Sequence, residues 1–172
     1  GHTVEPGACV GGVIYLDYDR GGSIRDVGLY GCGVTGVSAD NCSDVTVANS
    51  DIYECSYNGI QVLNSTGVNV VNCRLYDLGK NEEWEASEVF NLVSSSDIAI
   101  SDCEIYGNVS QYLVRSSGVD QVMLKNNIFR DNWVKSSAFG TFGNFVTLDG
   151  NTFEDCLIPR WFTEGCGAVD PE

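Results

Sequence analysis

Val45-Thr46-Val47-Ala48-Asn49-Ser50-Asp51-Ile52-Tyr53 is the stretch on which the fold turns. Val45 and Val47 alternate with their neighbours, which is the side-chain period of a strand rather than a helix. Asn49-Ser50-Asp51 supplies turn chemistry before the apolar-aromatic pair Ile52-Tyr53. The frame recurs. Equivalent pairs stand at Leu29-Tyr30, Leu75-Tyr76, Ile105-Tyr106, Phe129-Arg130 and Phe153-Glu154, and the successive intervals are 23, 23, 30, 24 and 24 residues. Upstream of the six anchors lie Gly22, Val45, Val68, Ile98, Val122 and Val146, followed at the next-but-one position by Ile24, Val47, Val70, Ile100, Leu124 and Leu148. A second short strand is expected at Gly36-Val37, Gly59–Val62, Val89–Leu92, Leu113-Val114 and Trp161-Phe162, with Val13–Leu16 in the same slot of a preceding turn. The long interval carries an insertion near residues 80–86.

Repeated units too small to bury their own apolar faces stack into a solenoid. The reading is therefore all-β, a parallel solenoid of about six coils forming one domain over residues 1–172, roughly 29 Å long at the usual strand spacing. Neither end shows an amphipathic capping helix, and an open end exposes edge strands. The expectation is a piece of a longer protein whose flanking polypeptide covers at least one end, or end-to-end association.

The frame Val-x-Val-x-Asn-Ser/Cys-x-Ile-Tyr, then Gly-Ile-x-Val, is carried best by residues 68–76, 98–106, 122–130 and 146–154. It resembles the right-handed parallel β-helix repeat of the pectate-lyase-like superfamily, over about residues 13–163. The resemblance implies a right-handed parallel β-helix. For function it implies only a choice among lyases, hydrolases, epimerases, adhesins and other surface proteins. The Asn-Thr-Asp, Asp-Asp, His-Gly and Arg-Ile-Lys signatures of its pectin hydrolases are absent from this sequence. The single histidine, His2, lies outside the repeats, which removes His-dependent mechanisms.

The net charge of −15, from 24 acidic and 9 basic residues, argues against nucleic acid and against anionic membrane surfaces. No apolar run reaches the roughly 18 residues of a membrane span. One histidine and no Cys-x-x-Cys leave structural zinc unsupported. No cofactor is required; Ca²⁺ is the ion that the acidic excess, or the Asp17-x-Asp19 pair, would accommodate. Eight cysteines fall partly into columns, Cys73 with Cys103 and Cys32 with Cys55. Parallel Cβ vectors on in-register strands suit disulfide geometry poorly, so most are expected to be buried free thiols.

In a solenoid, aligned residues become neighbours. Val27, Ser50, Cys73, Cys103, Asn127 and Asn151 form an inward column in which Asn stacks hydrogen-bond along the axis. Asp51, Arg74 and Glu104 form a surface ladder of alternating charge. Outward stand Tyr30, Tyr53, Tyr76, Tyr106, Arg130 and Glu154, beside Gly31, Glu54, Asp77, Gly107, Asp131 and Asp155. An aromatic strip with carboxylates beside it suits a polysaccharide or glycan, with Tyr53, Tyr76, Asp77, Trp84, Tyr106 and Arg130 as its contacts. Trp84 belongs to the insertion, where binding function concentrates. The alternative for the strip is mutual stabilisation of stacked rings. A glycosidase needs two carboxylates about 5–10 Å apart, for which Glu54/Asp77 and Asp131/Asp155 are pairs. The catalytic candidates are Asp77, Arg130, Asp131 and Glu154, although Arg130 between acids reads as an ion-pair partner. Three sequons, at Asn41, Asn64 and Asn108, arise from Asn/Ser-rich turns. The combined expectation is a secreted or cell-surface module of bacterial type that binds carbohydrate along the strip. The alternatives are a catalytic fragment of a polysaccharide lyase or glycoside hydrolase, and a noncatalytic stalk.

Overall fold

The computed structural model describes residues 12–30, 34–80, 88–142 and 146–163. Its strands, numbered in chain order, cycle through three parallel sheets of six. Sheet 1 holds β1 (Gly12–Asp17), β4 (Thr35–Asp40), β7 (Asn58–Leu63), β10 (Glu88–Val93), β13 (Val109–Ser117) and β16 (Trp133–Phe142). Sheet 2 holds β2 (Ser23–Arg25), β5 (Thr46–Ala48), β8 (Thr66–Val71), β11 (Ser96–Ser101), β14 (Val122–Lys125) and β17 (Val146–Asp149). Sheet 3 holds β3 (Gly28–Tyr30), β6 (Asp51–Tyr53), β9 (Arg74–Tyr76), β12 (Glu104–Tyr106), β15 (Ile128–Arg130) and β18 (Thr152–Glu154). The register is the one the repeat predicts: Leu29, Ile52, Leu75, Ile105, Phe129 and Phe153 pair in succession, as do Ile24, Val47, Val70, Ile100, Leu124 and Leu148.

A strand turns a corner here by one dipeptide device. The first residue has positive φ, which Asn, Asp and Gly tolerate best; the second points inward. Between sheets 2 and 3 the first residues are Asp26, Asn49, Asn72, Asp102, Asn126 and Gly150. Between sheets 3 and 1 they are Glu54, Asp77, Gly107, Asp131 and Asp155. Between sheets 1 and 2 they include Asn41, Asn64, Ser94 and Gly118. The inward residues then accept hydrogen bonds from the backbone of the preceding coil. Asn127 Oδ1 accepts from Cys103 N at 3.0 Å and Asn151 Oδ1 from Asn127 N at 2.9 Å. Asn108 Oδ1 accepts from Leu78 N at 3.0 Å, and Ser65 Oγ from Cys42 N at 2.9 Å. Corners that would strand buried N–H groups are thereby satisfied. The expected Asn127/Asn151 stack is present. A second stack, Asn108 on Asn132 at 2.9 Å, stands three residues after its anchors in the column of Cys32 and Cys55, where it was not singled out.

Inside lies one apolar core running the length of the stack, with Ile52, Leu75, Phe90, Ile105, Phe129 and Phe139 all buried. Two expectations need correction. The strand β16 is missing from the sequence-based list because Ser136-Ser137-Ala138 breaks its apolar alternation, while Trp161-Phe162 contributes only a bridge from Phe162 to Phe139. Among the described cysteines Cys42, Cys73, Cys103 and Cys156 are free, as expected, but Cys55 is disulfide-bonded to a partner outside the described residues. Cys32 lies outside them too. Cys55 sits on the longer connection between β6 and β7, where the parallel-strand constraint on Cβ directions does not hold. The Cys103 thiol is pushed up by its hydrogen bond with Cys73 and by burial, so it stays protonated.

Candidate functional site

The outer face of sheet 3 carries the Tyr strip, and its geometry is specific. Tyr30, Tyr53, Tyr76 and Tyr106 stack face to face, with centroids 5.2, 4.8 and 4.8 Å apart and planes within 10° of parallel. Arg130 closes one end, its guanidinium carbon 4.0 Å from the Tyr106 centroid. The ring faces are therefore taken by one another, and the half-exposed strip presents edges and hydroxyls. Burial holds the Tyr53, Tyr76 and Tyr106 phenols above their ordinary range, with nearby tyrosines and acids adding to it.

Alongside the strip runs a groove of about 530 Å³, lined by Asp26, Val27, Gly28, Asn49, Asp51, Asn72 and Arg74. Its floor follows from the corner device. Asp26, Asn49 and Asn72 hold successive positive-φ positions and so stack outward: Asn72 Nδ2 donates to Asn49 Oδ1 at 3.0 Å, and Asn49 Nδ2 to Asp26 Oδ1 at 3.3 Å. Its wall is a two-pronged ion pair, Arg74 Nε to Asp51 Oδ1 at 2.6 Å and Nη2 to Oδ2 at 2.5 Å. In register with Asp51 and Arg74 stands Gly28, whose missing side chain opens the groove at that coil. Asn49 makes two of these ladder bonds and Asn72 one, and each amide retains donor and acceptor capacity beyond them.

Three of the four residues picked out as catalytic candidates, Asp77, Arg130 and Asp131, are held in ion pairs. Asp77 receives Lys80 Nζ at 2.6 Å. Arg130 binds Glu104 at 2.8 Å and Asp131 at 3.3 Å, turning to the preceding coil rather than to its register neighbour Glu154. The Glu104 hydrogen bond raises the guanidinium further above its ordinary range, which makes Arg130 a poorer base. Asp77, Asp131, Asp155 and Glu54 are explained by the corner between sheets 3 and 1, where all four have positive φ. Trp84 lies outside the described residues. Among the described residues no three His, Cys, Asp or Glu side chains converge to hold a metal ion.

A second polar cluster, on the outer face of sheet 1, was missed. Glu88 opens β10 with its side chain almost wholly buried, 4.0 Å from Arg115 Nε. The Asn58 carboxamide, turned so that its nitrogen meets acceptors, donates to Glu88 Oε2 at 2.8 Å. Arg115 Nη1 also reaches Asn91 Oδ1 at 3.4 Å. Burial pushes the Glu88 carboxyl up, against the pull of Arg115. Glu88, between Ser87 and the apolar pair Val89-Phe90, gives no sequence signal of this burial.

A sequence profile described as "Right handed beta helix region" matches residues 12–168. The chain belongs to the right-handed β-helix family. No curated protein matches this β-helix by sequence. Among solved structures, it superposes on tailspike protein 2 of Escherichia coli O157:H7 bacteriophage CAB120 with a TM-score of 0.71 at 10% identity, covering 88% of the β-helix and 22% of the tailspike. The tailspike protein gp49 of Pseudomonas phage LKA1 aligns at 0.40 and 10% identity, over 84% and 43% of the two chains. Pectate lyase Pel9A aligns at 0.42 and 14% identity, over 90% and 55%. The β-helix thus spans about a fifth of the tailspike with which it shares its fold. Among the described residues, no helix is long and apolar enough to cross a membrane.

Proposed function

We propose that this β-helix is an extracellular module that binds carbohydrate in the groove on sheet 3. The observation that carries the reading is the convergence, in about 530 Å³, of the Asp26-Asn49-Asn72 ladder and the Asp51–Arg74 pair. Sugar hydroxyls both donate and accept. Planar amides and carboxylates repeated on successive coils meet them with fixed geometry and little ordering cost. The Tyr53 and Tyr76 edges bound the same face, so the strip contributes a rim rather than stacking platforms. The Cys55 disulfide supports an oxidising, extracellular setting. Among the described residues the end strands β1–β3, β17 and β18 are each paired in their sheets along one edge, which suits a module flanked by further polypeptide.

The test is a glycan array probed with the parent chain and with Asn49→Gly/Asn72→Gly. Glycine keeps the positive-φ corners, as Gly150 does in the same column, while removing both amides. Array signals are expected from the parent and lost in the double variant. Signals that survive it unchanged would remove the groove from the account. Tyr53→Ala/Tyr76→Ala is expected to weaken binding less than the glycine pair does.

A catalytic reading has one observation in its favour, the buried Glu88 carboxyl beside Arg115, since perturbed acids cluster at active sites. New reducing ends or unsaturated sugar absorbance on a polysaccharide panel, abolished by Glu88→Gln, would establish it.

A further inference from the structure

The groove's charges specify what kind of sugar it takes, an inference that rests on the carbohydrate reading above. Two carboxylates, Asp26 and Asp51, line it against one guanidinium, Arg74. That guanidinium is committed to both oxygens of Asp51. The other cations of the strip are also held: Lys80 by Asp77, and Arg130 by Glu104 and Asp131 while lying over Tyr106. A uronate or sulfate would have to break an ion pair to reach any of these cations, the groove lining holding Arg74 alone. It would do so against Asp26 and the field of a chain carrying net charge −15. Asp26 is the opposite case. Its exposed carboxylate accepts one side-chain hydrogen bond, from Asn49, which leaves acceptor capacity for an ammonium group.

We infer that the sheet 3 groove binds non-anionic glycans, and that sugars bearing free amines bind most tightly. Asp26 is the residue that discriminates, and Asn49 and Asn72 take the hydroxyls common to both classes. Because the Debye length is about 8 Å at physiological ionic strength, the amine preference is a local effect that persists there. The distant net charge contributes mainly at low salt.

Titration calorimetry on the intact chain with three oligosaccharides of equal length separates the outcomes: a glucosamine oligomer with free amines, a neutral glucose oligomer and a galacturonate oligomer. The expected order is amine first and neutral second. The galacturonate oligomer is expected to be weaker than the amine oligomer by about ten-fold or more, as like-charge contact demands. Asp26→Asn, which keeps a residue suited to positive φ and an oxygen to accept from Asn49, should weaken the amine oligomer about two- to five-fold, the range of an exposed ion pair, and weaken the neutral one less. Asp120→Asn, an exposed change outside the groove lining, should alter neither. Galacturonate binding as tight as the amine oligomer overturns the inference. So do equal effects of Asp26→Asn and Asp120→Asn, which would mark general adsorption of a polycation. Neutral binding lost in Asn49→Gly/Asn72→Gly but without any amine preference leaves the carbohydrate reading standing and removes this inference alone. Failure of all three sugars removes both.

Discussion

At each corner of the coil a residue of positive φ hands the chain to one whose side chain points inward, and this pair sets most of the local energetics. Asn127 is fully buried, accepts from Cys103 N and donates to the Ile100 carbonyl at 2.9 Å. Asn127→Ala orphans both groups and should lower stability by about 2–4 kcal/mol, read as a shift of the urea midpoint. Glu54 occupies a corner at φ 55°, where its neighbours in the column are Asp and Gly. Glu54→Asn relieves a left-handed penalty and should raise stability by about 0.5–1 kcal/mol. The Ser116 hydroxyl is buried without a hydrogen-bond partner among the described residues, so Ser116→Ala should stabilise the chain as well. An unchanged midpoint for Glu54→Asn would mean that the corner stores no strain.

At the scale of elements, the Tyr strip behaves as a single stacked column. Tyr76 has a ring on each face at 4.8 Å, whereas Tyr30 has one described neighbour at 5.2 Å. Each such contact is worth about 0.5–1.5 kcal/mol beyond burial, so Tyr76→Ala should cost roughly twice what Tyr30→Ala costs in a denaturation series. Equal losses would show that the rings act singly. Much of this was legible in the residues, because a 23-residue interval puts Tyr30 over Tyr53 and Tyr53 over Tyr76 whatever else the chain does. The strip as a ligand surface could not be read the same way. Spacing says that rings are neighbours but not that their faces meet, and the meeting turns sugar platforms into a structural stack. The groove escaped for a related reason. Asp26, Asn49 and Asn72 read as turn residues, and they are turn residues; their outward stacking follows from a φ value that spacing does not encode. Glu88 was invisible because its partners, Asn58 and Arg115, come from neighbouring coils and leave no mark on the local pattern.

For the whole molecule, acidity is the controlling property. Glu88 is one carboxyl whose folded value is raised above 4.5 by burial. Below that value it is neutral in folded and unfolded chains and affects stability little. As pH rises above 4.5 the unfolded chain releases the proton while the folded chain holds it, so stability is lost across the window up to the folded value and stays lost beyond it. Glu88→Gln should therefore gain on the parent as pH rises from about 4 to 7, and a parent-to-variant difference independent of pH would contradict this. Selectivity in the groove is by contrast local to Asp26, and the net charge of −15 adds to it mainly at low salt.

The most direct test is backbone amide chemical-shift mapping of the parent chain titrated with a neutral oligosaccharide. Saturable shifts concentrated at Asn49, Asp51, Asn72 and Arg74, with the outer face of sheet 1 silent, are the predicted result. Shifts centred instead on Asn91 and Arg115, or none at saturating sugar, would contradict the assignment of the groove.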